Sequence, residues 1–301
     1  LARLEGIKIE QELEKLRELS PDDERVYNAL GVAYFELDQP EKAIEAYEKF
    51  QSLASGTDNG YREIAAYYDR TGNTGKAMEY LRRALETQPK SVESLKMLAG
   101  VYLKEGKSKE AIPLYQKMLE ITGTDPAAGR RLAVLLIESG QYDEAVRILN
   151  EISSKEPEDP ISRILLGRAQ IGLHKYPEAI ETLKSVPKGD PNIEMEAQFH
   201  LAQAYEENGN RADAIGIYSR LLENVPADSD EARTNRLVFQ QRLGANYWES
   251  GEREKAIGIY QEMAKADPKA NSLLLQAYRL DRQFDKAMSL GKELYEKDPS
   301  S

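Results

Sequence analysis

Two histidines, His174 and His200, have the widest chemical reach in this 301-residue sequence, and neither stands in a catalytic setting. His174 lies in the segment Leu173-His174-Lys175-Tyr176-Pro177, and His200 follows Phe199. The chain has no cysteine for either to activate, and no serine-containing elbow accompanies them; a metal site would need further ligands. The run Gly72-Asn73-Thr74-Gly75-Lys76 shares part of a phosphate-binding loop. Arg70 occupies its first-glycine position, however, and Ala77 stands where Ser or Thr should hold magnesium, so the run reads as a turn between helices. Carboxylates such as Glu36, Glu105, Glu138, Glu206, Glu207 and Glu249 fall at positions expected to be exposed, without the apolar pairing that raises a pKa for acid–base work. No enzyme and no cofactor is expected. Cations offer a different chemistry: Arg62, Lys96 and Arg130 are separated by a constant 34 residues, and Arg70 and Lys104 repeat the same step. Evenly spaced charge suits recognition.

The same interval organises the whole chain. Ala43, Ala77, Ala111, Ala145 and Ala179 recur every 34 residues, and Ala214, Ala256 and Ala287 continue the series by steps of 35, 42 and 31. A fixed period in this range marks stacked helix pairs, each too small to bury its own apolar face. Small residues Gly31, Ala65, Ala99, Ala133, Gly167, Ala202 and Gly244 are expected on a first helix, facing the alanine ladder on a second. Large groups fill the space beside that contact: Tyr34, Tyr68, Tyr102, Leu136, Tyr205, Tyr247 and Tyr278 from first helices, and Tyr47, Leu81, Tyr115, Leu149, Leu183, Tyr218 and Tyr260 from second ones. Gly72, Gly106, Gly140, Gly209 and Gly251 follow the first helices as left-handed caps. Pro89, Pro157, Pro191, Pro226, Pro268 and Pro299 close or follow second helices, Pro40 and Pro177 fall near the first turn of one, and Pro113 should bend one slightly.

Eight helix pairs follow, at 24–57, 58–91, 92–125, 126–159, 160–194, 195–228, 229–267 and 268–301, in one uninterrupted array. A helix over residues 1–23, with Leu4, Ile7, Ile9, Leu13, Leu16 and Leu19, looks like the second half of a preceding unit. Since the sequence opens mid-repeat and without Met, it is expected to be an excerpt or a processed form. The step of 42 contains Ser229 to Arg236, which should lengthen a first helix by about two turns, with Ser229 or Asp230 as cap. This extension is read either as a neutral insertion or as a partner-specific element.

The order Tyr27, Leu30, Gly31, Tyr34, Ala43, Tyr47, and again Tyr61, Ile64, Ala65, Tyr68, Ala77, Leu81, Ala84, Pro89, resembles the tetratricopeptide repeat family over about nine-tenths of the chain. The resemblance implies an all-α, right-handed superhelical solenoid whose first helices line a concave groove. Family register then directs Arg62, Lys96 and Arg130 into that groove, joined by Arg70 and Lys104, with small Ala66, Gly100 and Val134 one turn on. Such a row suits an extended acidic segment of a partner. The competing reading is an ordinary solvated face on which Glu63, Asp69 and Glu93 neutralise the cations. The two-carboxylate clamp by which some family members hold chaperone tails matches only in part, because Asn28 and Val32 replace its Lys and Asn. Further along, Ile161, Ile164, Arg168 and Ile171, then Phe199, Gln203 and Glu206, then Gln241, Ala245 and Trp248 take the corresponding positions. Arg168, Phe199 and Trp248 are the candidates there; Trp248 is either an anchor for a ligand or packing beneath the next repeat.

A net charge of −11 argues against nucleic acid as a main partner. Residues 58–137 nevertheless carry thirteen cations and ten anions, a basic island between an acidic start and an acidic end. No apolar run reaches membrane-spanning length. Absence of cysteine leaves the compartment open between cytoplasm and, after removal of an upstream export signal, periplasm. The expected function is a protein–protein interaction scaffold. Two alternatives are a structural part of a bacterial envelope machine for pilus or exopolysaccharide export, and a substrate-recruiting arm of a larger enzyme.

Overall fold

The computed structural model describes residues 2–123, 125–225 and 229–297, with the side chains of 2–5 and 297 left aside. Among them the regular structure is entirely helical: α1 (Ala2–Leu19), α2 (Glu24–Glu36), α3 (Pro40–Leu53), α4 (Asn59–Arg70), α5 (Thr74–Thr87), α6 (Val92–Lys104), α7 (Ser108–Thr122), α8 (Pro126–Glu138), α9 (Tyr142–Lys155), α10 (Pro160–Gly172), α11 (Tyr176–Lys184), α12 (Pro191–Glu207), α13 (Arg211–Asn224), α14 (Asp230–Glu249), α15 (Arg253–Ala266), α16 (Asn271–Leu280) and α17 (Phe284–Lys297), with a short 3-10 turn at Pro268–Ala270. Contacts group these into two compact units, Leu1–Ser139 and Gly140–Ser301. The boundary falls in the turn of the fourth expected pair.

Within the units the spacing of small and large residues explains the packing. Seven ladder alanines, from Ala43 to Ala256, are 0% exposed, and Ala287 is 8% exposed. A Cβ added to Gly31 would lie 2.6 Å from the Tyr47 ring, one on Gly167 2.5 Å from Leu183 Cγ, and one on Gly244 2.5 Å from the Tyr260 ring. First and second helices therefore approach too closely for any side chain there. Burying groups such as Tyr47, Leu81, Leu183 and Tyr218 contributes about 1.5–3 kcal/mol each.

Turns within the pairs pass through one left-handed residue each. Gly72, Gly106, Gly140, Gly209 and Gly251 have φ between 69° and 82°, and Asp38, His174 and Arg282 take the same role at 59–60°. His174 is thus a turn residue, with Nδ1 2.6 Å from the Tyr176 hydroxyl.

A second regularity ties the turns to the helices. The residue before the ladder alanine sets its amino group over the tyrosine eight positions earlier: Lys42 over Tyr34 at 5.2 Å, Lys76 over Tyr68 at 4.8 Å, Lys255 over Tyr247 at 5.2 Å and Lys286 over Tyr278 at 5.7 Å. Where that residue is acidic, as at Glu110 and Asp213, the cation comes from the preceding second helix. Arg82 donates to the Tyr102 hydroxyl at 3.0 Å, and Lys184 lies 5.7 Å from the Tyr205 ring centre.

Two details differ from expectation. Helix α12 begins at Pro191, ahead of the expected pair boundary at 195, because Asp190 caps that helix by accepting from Asn192 and Ile193. Helix α11 accordingly ends early, at Lys184. Pro268 follows α15 as expected and opens the 3-10 turn, behind Asp267 as its cap. Ser229 caps α14 by accepting from the Ala232 amide, and α7 continues through Pro113. Pro226, Pro299 and the Leu4 side chain lie outside the described residues. In the first unit α1 packs on α2 through Leu13, and the Tyr34 hydroxyl donates to Glu14.

Candidate functional site

The basic stripe falls wholly in the first unit, on α4, α6 and α8, and its cations have unequal freedom. Arg62 is 26% exposed and its Nε donates to Asp58 at 3.1 Å, while a second guanidinium nitrogen reaches Asn59 at 3.2 Å. Asp58 is buried and also accepts from the hydroxyl of buried Ser94 on α6, at 2.5 Å. Burial alone would push the Asp58 carboxyl up, but hydrogen bonds from Ser91 and Ser94 and the charge of Arg62 outweigh it and hold the pKa below the usual value. Arg62 thus fastens α4 to α6 through Asp58.

One repeat on, Lys104 reaches back to Asp69 of α4, with both carboxylate oxygens at 2.8 Å. Lys96 and Arg70 are exposed and make no ion pair among the described residues. Arg130 is half-buried on α8. Of the three anions expected to neutralise the stripe, Asp69 takes Lys104, whereas Glu63 and Glu93 remain exposed without a salt bridge among the described residues.

A cleft of about 350 Å³ opens between α4 and α6. Lys96 and Lys104 stand on its wall with Asp69 and Glu93, while Met97 contributes apolar surface in front of the buried side chains of Ala65, Leu81 and Val101. Gly100 lies between the two lysines, and a Cβ there would meet nothing within 4 Å. Helix α6 therefore presents Lys96, Gly100 and Lys104 one turn apart on one face. Arg62 and Arg70 share α4 with the cleft but do not line it, and Arg130 lies outside its lining.

Candidates in the second unit are packed more deeply. Phe199 on α12 is half-buried against His200, Tyr218 and Phe239, with ring centres 5.3, 6.2 and 5.5 Å away. His200 places Nδ1 2.7 Å from Gln203 Oε1. Burial pulls its pKa down to about 4, against the Gln203 hydrogen bond and with a smaller push from the charge of half-buried Arg168. Trp248 is half-buried on α14. It packs against the core of Tyr260, Leu274 and Ala277, carries the Arg253 guanidinium 5.4 Å from its ring centre, and lines a 260 Å³ cleft with Ala245, Leu273 and exposed Leu280.

Sequence reasoning missed Asp58, Ser94 and Met97. Met97 carries an ordinary apolar signal. Asp58 and Ser94 are 36 residues apart, off the 34-residue interval, so that period does not announce them. Among the described residues no group of three or more His, Asp or Glu could hold a metal ion, and no helix is long and apolar enough to cross a membrane.

Comparisons with known proteins agree with this architecture. Family profiles described as tetratricopeptide repeat match residues 24–57, 58–101, 102–161, 136–197, 196–228 and 242–301. A search of the curated proteins returns no match. Among solved structures, the C-terminal part of a TPR repeat-containing protein from Cytophaga hutchinsonii aligns at 17% identity and TM-score 0.54, covering 77% of this chain and 94% of that one. MamA from Desulfovibrio magneticus RS-1 aligns at 22% identity and TM-score 0.50, over 55% and 93%. The Cut9–Hcn1 hetero-tetramer of APC/C aligns at 17% and 0.51, over 92% of this chain and 53% of that one. These likenesses show the fold, and tetratricopeptide repeats generally form non-catalytic scaffolds for protein–protein interaction. With its alanine ladder, its left-handed turns and profile matches from residue 24 to residue 301, the chain belongs to the tetratricopeptide repeat family.

Proposed function

We propose that this chain is a protein-recognition scaffold whose α4–α6 cleft takes an acidic extended segment of a partner protein. The carrying observation is Lys96: an exposed ammonium without an ion pair among the described residues, at the wall of a cleft with an apolar floor. Arg70, on α4 outside the lining, supplies a second exposed cation without an ion pair among the described residues. A carboxylate meeting these cations replaces no internal bridge, and Gly100 lets a peptide backbone come close. Arg62 and Lys104 belong to the frame, since each already holds a carboxylate of α4.

This division of labour decides the test. Reversing Arg62 would break the Asp58 network and confuse folding with binding, so the informative variant is Lys96→Glu with Arg70→Glu. Fluorescence anisotropy with a labelled decapeptide of alternating Glu and Ala, at low and high salt, reads the affinity. Binding of this probe should weaken with salt and fall at least about tenfold in the variant. Equal affinity of variant and parent would remove the cleft from consideration.

A further inference from the structure

The second unit contains a larger cleft whose walls exist only because two first helices are unusually long. Helix α12 has 17 residues and α14 has 20, against 13 in α2, α6, α8 and α10. At 1.5 Å per residue these excesses of four and seven residues extend the helices by about 6 and about 10 Å at their N-terminal ends. Higher up, α12 and α14 approach through the rings of Phe199 and Phe239, 5.5 Å apart. Below that contact the two extensions border an opening of about 470 Å³, with the last turns of α13 in its lining. This volume lies within the range of about 300–1,000 Å³ usual for ligand sites.

Its lining is of a different chemistry from the basic cleft. Met195, Leu221 and Ala232 supply apolar surface. Around them stand the side-chain amides of Asn192, Gln198 and Asn235, none of which is hydrogen-bonded to another described residue. A primary amide offers both a donor pair and an acceptor, the complement of a peptide group in an extended chain. Among the described residues, charge in the lining has one sign: Glu194 and Glu231 line the opening and no cation does. Glu194 already accepts from the Gly189 amide at 2.7 Å, which leaves Glu231 as the exposed carboxylate.

The geometry points to a second recognition site: the cleft between the N-terminal extensions of α12 and α14 binds an extended segment of another protein, carrying a small aliphatic side chain beside a lysine or arginine. The aliphatic group enters between Met195, Leu221 and Ala232, the segment's peptide groups pair with the three amides, and the cation meets Glu231. Opposite charge preference separates this site from the α4–α6 cleft, and it stands on residues of the second unit alone.

The test begins with a phage-displayed library of random heptapeptides selected on the intact chain. Selected peptides, labelled with fluorescein, are titrated by anisotropy against the parent, the Asn192→Ala, Gln198→Ala, Asn235→Ala triple variant, and Lys96→Glu with Arg70→Glu. The selected set should be enriched in small aliphatic residues next to Lys or Arg. Affinity should fall at least about tenfold in the triple variant and stay within twofold in the first-unit variant. Glu231→Lys, a single change at an exposed position, provides an independent reading should the triple variant melt early; it should weaken the basic peptides at least about threefold. Peptides without that enrichment, or peptides that bind the triple and Glu231→Lys variants as tightly as the parent, would overturn the assignment.

Discussion

Replacing Asp58 by Ala should destabilise the first unit more than any surface change on the same helices. The carboxylate is 2% exposed and the Ser94 hydroxyl it accepts from is 0% exposed, so neither can turn to water in the folded state. A hydrogen bond to a charged group contributes about 1.5–3 kcal/mol, and a stranded buried hydroxyl costs about 1–3 kcal/mol. Arg62, 26% exposed, regains part of its hydration when released. The expected loss is therefore about 3 kcal/mol, with the Asn variant losing less because its carbonyl still accepts from Ser94. Urea unfolding followed by circular dichroism measures the total. Amide exchange in α4 and α6 locates it, which matters because repeat arrays can open region by region. The pH dependence supplies a second arm. Since the folded carboxyl is held below its ordinary value, its contribution is present above about pH 4 and is lost as pH falls through the folded value. The Asn variant should lack that acid-side decline. A change below about 0.5 kcal/mol for both Asp58→Ala and Ser94→Ala, with unaltered exchange, would refute the clasp between α4 and α6.

Two further outcomes follow from the second unit and from the glycines. His200 is held neutral, with a pKa pulled down to about 4, so the unfolded chain binds the extra proton first as pH falls; stability should drop by about 2 kcal/mol between pH 7 and pH 5, and His200→Gln should flatten that slope in urea midpoints. Gly244→Ala, whose Cβ would lie 2.5 Å from the Tyr260 ring, should cost about 1–3 kcal/mol, while Gly100→Ala, with nothing within 4 Å, should gain about 0.5–1 kcal/mol; thermal denaturation of the pair compares them directly.

The repeat was legible because one packing problem is solved again at each step. A small residue must face a ladder alanine, a large one must fill the space beside it, and a left-handed residue must turn the chain, so the same residue types return at the same interval. Features that occur once left no such trace. Arg62 looks like its counterparts Lys96 and Arg130 in register, yet a buried carboxylate four residues earlier claims it. The start of α12 was misplaced although the signal was present: Asp190-Pro191 repeats the cap-and-first-residue pairs Asp125-Pro126 and Asp159-Pro160 that open α8 and α10. Grouping Pro191 with the prolines that close or follow second helices, and not with the aspartate before it, hid the extension that shapes the larger cleft. Ser229 was legible because its serine precedes an acidic first turn with no competing proline. Of the site candidates, Phe199 was placed on the right helix, but its rings of contact depend on Phe239 two helices away, a pairing that no local pattern encodes.

The lysine–tyrosine pairs make the repeats unequal as modules. Units built around Lys42, Lys76, Lys255 and Lys286 carry both partners of the contact and are self-contained in that respect. Those containing Tyr102 and Tyr205 borrow their cation from the predecessor, through Arg82 and Lys184. In a nearest-neighbour account of a linear array, the first kind holds this energy in the intrinsic term and the second in the coupling term. Recombination should respect the difference: a self-contained repeat can be transplanted or duplicated with its tyrosine covered, whereas a borrowing repeat moved behind a stranger leaves its tyrosine without a cationic partner. The order of repeats along this chain is in that sense part of its chemistry.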